Sequence, residues 1–105
     1  MKLRWDARAL KDLESIYEYI ANDDPAAAKR VVQRIEKSVG RLLIMPMSGR
    51  PGVAKGTRLL AVPRVPYIVI HRVRGKIVDM LAVCIPRVAV ADDYIHGAAC
   101  ERSGR

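Results

Sequence analysis

Phenylalanine is absent from this 105-residue chain, and one tryptophan and four tyrosines are its only aromatic residues. Proteins that read single-stranded RNA stack bases on exposed rings, so a base-stacking platform is not expected. Cysteine is almost as scarce. Cys84 and Cys100 form neither a C-x-x-C pair nor a disulfide framework. Cys84 follows the apolar run Met80-Leu81-Ala82-Val83 and reads as a small core residue, whereas Cys100 stands in a small, polar tail and reads as an exposed thiol. His71 and His96 lie far apart without ligand-spaced neighbours, so no metal or other cofactor is expected. No apolar run approaches the roughly 20 residues that cross a bilayer. The charged lead Met1-Lys2-Leu3-Arg4-Trp5-Asp6 lacks the apolar centre of a signal peptide. A cytoplasmic protein with no membrane partner is therefore expected. Also missing are a G-x-S-x-G elbow, a Walker loop, an H-E-x-x-H helix and paired carboxylates. Gly49-Arg50-Pro51-Gly52 reads as a loop and not a phosphate cradle, because Pro51 lacks a backbone donor.

What the chain does contain is enough apolar residue to fold. Hydrophobic residues make up 50% and charged residues 29%, a balance that favours one modest core over disorder. The formal charge of +8 is unevenly spread. Residues 1–48 carry a net +2, residues 49–91 a net +7 and residues 92–105 a net −1. A nearly neutral front half and a strongly basic second half point to an anionic partner: nucleic acid, a polyanionic protein surface or an acidic peptide.

Local patterning predicts two helices and then strands. Residues 2–5 are a short β-prone lead-in. Asp6 is placed as an N-cap, with Trp5 stapled on Leu10. Leu10, Leu13, Ile16, Tyr17 and Ile20 then recur at helical spacing, with Lys11, Asp12, Glu14 and Glu18 off that stripe. Asp24-Pro25 restarts the chain as a capped second helix with proline at its first position. Its stripe is Ala28, Val31, Val32, Ile35, Val39, Leu42 and Leu43, and Pro46 stops it. The short connection between them predicts an antiparallel hairpin. Strands are expected at Thr57–Val62, Tyr67–Val73 and Ile77–Cys84, the last two joined by the turn Arg74-Gly75-Lys76. The third strand is apolar on both faces apart from Asp79, as expected of a covered central strand. Val88-Ala89-Val90 reads as a further strand or as a tail on the sheet.

Alternation places Arg58 with Leu60 and Val62, Arg72 with Ile68 and Ile70, and Asp79 with Ile77, Leu81 and Val83. An isolated acid on an apolar face needs a partner, so an ion pair of Asp79 with Arg58 or Arg72 is expected. Metal-free RNA cleavage would need a base, phosphate-neutralising cations and an acid; Lys55, Arg58, Arg72, Arg87 and Tyr94 supply cations and a phenol but no evident base. A protein-binding face is the favoured reading of the basic residues.

The order of these features resembles the RelE/ParE superfamily of toxins from type II toxin–antitoxin systems, the ParE branch most closely. The resemblance runs through Ala9-Leu10-Lys11-Asp12-Leu13-Glu14-Ser15-Ile16, Tyr19-Ile20, Asp24-Pro25-Ala26-Ala27-Ala28, Ile35, Leu42-Leu43 and Pro46. It continues in Gly49-Arg50-Pro51-Gly52, Gly56-Thr57-Arg58-Leu59-Leu60, Pro66 to Val73 and Ile77 to Val83. It implies an α+β fold in which an N-terminal antiparallel helical hairpin packs on a small, twisted antiparallel sheet. One toxin domain over residues 1–97 is expected, with 98–105 as a flexible tail. The resemblance further implies a non-enzymatic inhibitor of DNA gyrase, neutralised in a hetero-oligomer with a cognate ParD-like antitoxin and touching operator DNA only through it. Arg50, Lys55, Arg58, Arg72 and Arg87 are then the partner-binding residues. The alternatives are a RelE-like ribosome-dependent mRNA endonuclease using Lys55, Arg58, Arg87 and Tyr94, or a non-toxic relative that binds antitoxin alone. The latter is suggested by His96-Gly97-Ala98, which arrives late and without the usual arginine.

Overall fold

A computed structural model describes residues 1–52 and 54–86 together with the backbone of Cys100–Glu101. The chain opens with strand β1 (Lys2–Trp5) and enters helix α1 (Ala7–Ala21). Asp6 takes the extended N-cap backbone but makes no capping bond, because its carboxylate accepts from the Arg4 guanidinium at 2.8 Å. The buried face of α1 keeps Leu13, Ile16 and Ile20 of the expected stripe but is rotated away from its other two residues. Ala9, Asp12 and Ile16 point inward, while Leu10 and Tyr17 are 50% and 42% exposed. With Leu10 in solvent, Trp5 does not staple it and packs instead against the core. Alanine at position 9 lets the helix lie close to the sheet, and Asp12 is drawn inward by a backbone donor.

Helix α2 (Pro25–Gly40) starts as expected, with Pro25 in its first turn and the Asp24 carboxylate accepting from the Ala27 N–H at 3.1 Å. It ends earlier than Pro46. After Gly40 the chain tightens into a 3-10 turn, Arg41–Leu43, which buries Leu42 and leaves Leu43 exposed. The two helices pack against each other, and α1 packs on the sheet.

The remaining strands are β2 (Arg50–Pro51), β3 (Thr57–Ala61), β4 (Ile68–Arg74), β5 (Ile77–Pro86) and β6 (Cys100–Glu101). Their order is β1-β5-β4-β3-β2, with β6 paired to the far end of β5. β2 to β5 are antiparallel neighbours, but β1 runs parallel to β5, so the sheet is mixed and not antiparallel throughout. A parallel partner requires a long crossover, here supplied by both helices and the three strands between. β2 falls in the expected loop; Pro51 is tolerated there because β2 is the sheet's edge. Arg74 pairs with Ile77 around Gly75-Lys76, and Gly75 takes φ +56°, a sharp hairpin turn suited to glycine.

A register shift between Ile70 and His71, opposite Leu81, breaks the alternation of β5. Val78 and Met80 before it, and Val83 after it, all join the helix-side core with Ile16, Ile35, Val39 and Val69. Asp79 therefore does not share a face with Val83, as strict alternation required. The bulge adds one residue, which turns the following side chains over. A smaller cluster of Leu59, Ile68 and Cys84 forms apart from this core, with Ile70 packed against it. Cys84 is 1% exposed, and its sulfur is in a disulfide and not a free thiol. The remainder of 87–105, including Val88–Val90, His96 and most of the expected tail, lies outside the described residues. Among the described residues no helix is long and apolar enough to cross a membrane.

Asp12 joins the helices to the sheet. β1 pairs with β5 only as far as Met80, and beyond it the Val83 N–H donates to the buried Asp12 carboxylate at 3.0 Å. Asp12→Ala is expected to strand that buried donor and lower unfolding free energy by about 1–2 kcal/mol in urea denaturation. Asp12→Asn, which keeps an acceptor oxygen, is expected to recover much of the loss.

Candidate functional site

Asp79 is fully buried at mid-sheet, between β1 and β4, and three arginines converge on it. Arg74 donates from Nε at 2.7 Å, Arg4 from a terminal nitrogen at 3.1 Å, and Arg72 lies at 3.7 Å. The register explains the convergence: Arg4 and Arg72 are the direct neighbours of Asp79 on the two flanking strands. Arg74 reaches back from the hairpin end. The arginine side chains remain about half exposed, so their outer edges face solvent while the inner ones hold the carboxylate. The Arg74 hydrogen bond is the main reason the Asp79 carboxyl sits below its ordinary value; burial opposes it and Arg4 reinforces it. In return, Asp79 raises the pKa of both Arg4 and Arg74, so the cluster stays charged at any physiological pH. Two short bonds fix the guanidinium orientations, which is what an arginine needs to recognise a carboxylate or phosphate as a fork.

The sequence had offered Arg58 or Arg72 as the partner of Asp79, and Arg72 is one of the three arginines found there. Arg58 is not a partner of Asp79: it pairs across strands with His71, donates to the Gly49 carbonyl at 2.8 Å and reaches the Ser48 carbonyl at 3.5 Å. It therefore ties β3 to the preceding loop. Arg4 and Arg74 were missed because one lies in a lead-in 75 residues from Asp79 and the other was placed in a turn. Of the expected partner-binding set, Arg72 joins the cluster, Arg50 is exposed on edge strand β2 and Lys55 is exposed in the turn before β3. Arg87 and Tyr94 lie outside the described residues.

A second carboxylate, Asp6, accepts from Arg4 at 2.8 Å at the edge of the cluster. His71 is fully buried beside Met80, and both ring nitrogens lack a hydrogen-bond partner. Burial is the chief cause that lowers its pKa; the nearby backbone of Pro46 and Val69 partly opposes this, and the Arg58 charge adds to it. A histidine so placed resists protonation. Its folded pKa lies below the ordinary 6.5, so above that value it leaves stability unchanged. Below it the unfolded chain takes up a proton that the folded chain refuses, and stability falls as pH drops toward the folded value. Urea titrations between pH 7.5 and 5.5 are expected to show this loss, at most about 1.4 kcal/mol per pH unit. His71→Met should flatten the dependence.

Comparison with known proteins places this geometry. A family model described as the ParE toxin of type II toxin-antitoxin system, parDE, matches residues 3–85, a span holding Arg4, Arg72, Arg74 and Asp79. Toxin Y4kP of Sinorhizobium fredii (strain NBRC 101917 / NGR234) is 46% identical over 82 residues, covering 78% of this chain and 84% of that protein. Toxin RelE2 of Caulobacter vibrioides (strain ATCC 19089 / CIP 103742 / CB 15) is 33% identical over 79 residues, covering 75% and 88%. Among solved structures, a chain of the chromosomal ParDE TA system from P. aeruginosa superposes with a TM-score of 0.71 at 34% identity, over 79% of this chain and 92% of that one.

Proposed function

This chain belongs to the ParE toxin family of type II toxin–antitoxin systems, and from that premise we propose that it inhibits DNA gyrase and is neutralised by a ParD-like antitoxin. The observation that carries this reading is the family match over residues 3–85, which spans the arginine cluster and both helices. The cluster supports it physically. Arg4, Arg72 and Arg74 are held by a buried acid yet keep outward donors, an arrangement suited to acidic side chains of a protein partner. Among the described residues β1 also ends the sheet's path and offers an edge to an added strand. In this reading the toxin acts in the cytoplasm as a single domain over residues 1–97 with a tail at 98–105, and meets operator DNA only through its antitoxin.

Purified full-length protein is expected to block supercoiling by gyrase, and one equivalent of the cognate antitoxin should restore it. Supercoiling unaffected at stoichiometric toxin would defeat the gyrase reading. A second reading, ribosome-dependent mRNA cleavage, draws on the likeness to the relative named toxin RelE2. It requires codon-spaced cuts in a translation extract that Arg87→Ala or Tyr94→Phe abolish. If neither assay responds and expression leaves growth normal, the protein is an antitoxin-binding relative without toxicity.

A further inference from the structure

A second basic site lies away from Asp79, at the other end of the molecule's strands. Arg34, Lys37 and Arg41 follow one another at three- and four-residue spacing along the end of α2 and its 3-10 extension, with Ser38 next to Lys37. They line an open cleft of about 320 Å³ whose far wall is Pro63 and Arg64, from the loop between β3 and β4. Four cations thus surround one concavity, with the nearly buried Ser38 beside them. None of the four has a carboxylate at ion-pair distance among the described residues.

Helix electrostatics explain only part of this arrangement. Lys37 and Arg41 complement the partial negative charge of a helix C-terminus. Arg34 lies a turn further back, and Arg64 arrives from another element altogether. Arg64 is also the one non-glycine residue with positive φ, +70°, among the described residues. It follows Pro63 in a turn whose second central position ordinarily goes to glycine or asparagine. A branched cation at a strained position, aimed into a cleft already holding three cations, is opposed both by backbone sterics and by like-charge repulsion. An anion in the cleft would offset the repulsion.

We propose that this cleft binds a multiply charged phosphate chain, either free pyrophosphate or the di- or triphosphate of a nucleotide. The charge calls for more than one anionic group, and guanidinium forks match phosphate oxygens. The volume lies at the lower end of the range for small-ligand sites. Among the described residues no aromatic side chain lines the cleft, so recognition falls on the phosphates and not on a stacked nucleobase.

The test is calorimetric titration of the full-length chain with orthophosphate, pyrophosphate, ADP, ATP and GTP at physiological salt. Pyrophosphate and both triphosphates are expected to bind at one site, with ATP and GTP within about twofold of each other and orthophosphate about tenfold weaker or worse. Tighter binding of the nucleotides than of pyrophosphate would identify a nucleotide as the source; equal binding would identify the free anion. Arg64→Gly is expected to weaken binding about tenfold or more while leaving Tm equal or higher, because glycine relieves the positive φ. Lys37→Glu should weaken it at least as much. Lys76→Glu, with the same charge change at the opposite end of β4, should not. The proposal is overturned if Lys76→Glu matches Lys37→Glu, which would mean diffuse attraction to a basic protein. It is equally overturned if pyrophosphate does not bind while duplex DNA or an acidic peptide does so through the same residues.

Discussion

Asp79→Ala is expected to lower Tm by more than about 10 °C and to leave the arginine cluster without its anchor. The carboxylate accepts charge-assisted bonds from Arg74 and Arg4 and is fully buried. Bonds of that kind are each worth about 1.5–3 kcal/mol. The half-exposed arginines can recover water once released, which argues for the low end, so about 3 kcal/mol in total is expected. For a domain of this size each kcal/mol shifts Tm by about 4–8 °C. The pH dependence has a definite sign. The folded pKa lies below the ordinary 3.8, so the stabilisation is fully present above that value and is lost as pH falls through it toward the folded pKa. The gap in unfolding free energy between wild type and Asp79→Asn should be constant from pH 7 to about pH 5 and narrow below about pH 4. A constant gap down to acid would show that packing, and not the carboxylate charge, holds β1, β4 and β5 together. Under the proposed function, a folded Asp79→Asn protein should also bind antitoxin more weakly, because its arginines are no longer held in place.

Gly49→Ala is expected to be comparably costly for a different reason. Gly49 takes φ +88°, and a Cβ there would strike the Leu59 carbonyl of β3. Left-handed backbone costs an L-residue roughly 1–2 kcal/mol, and forcing an extra carbon into a packed contact typically adds about 1–3 kcal/mol. A total near 3 kcal/mol should appear as a lower urea midpoint with little change in slope. Gly56 provides the control, since its φ is +83° but open space surrounds its Cβ position. Gly56→Ala should show only the backbone cost. If the two variants lose the same stability, the close approach to β3 has no energetic weight. The Gly49 carbonyl also accepts from Arg58, so the costlier variant should loosen edge strand β2 as well.

The misreadings share a cause. Helix and strand positions followed from spacing, because apolar periodicity, Pro25 and Gly75 act on their own neighbourhoods. Leu13, Ile16 and Ile20 of the expected α1 stripe do face the core, but Leu10 and Tyr17 do not. The helix is turned toward Asp12, whose burial depends on a backbone N–H that appears only when β5 outruns β1. Likewise Val83 changed faces because of a bulge that no side chain in β5 announces. Of the two partners expected for Asp79, Arg72 is one and Arg58 is not; Arg4 escaped notice because only the parallel pairing of β1 brings it beside Asp79.

By itself, the sequence determined two amphipathic helices, the second with its cap, a following set of strands, a basic second half and one buried acid in need of a cation. Those properties are local, or are sums over composition, and they sufficed for the family resemblance. Only the tertiary structure decided which cations answer that acid, which face of α1 is inside, and that Arg34, Lys37, Arg41 and Arg64 share a cleft. These depend on the register of β1 against β5 and on a loop meeting a helix end. Such contacts join residues far apart in the chain, and their energies exist only once both sides are in place.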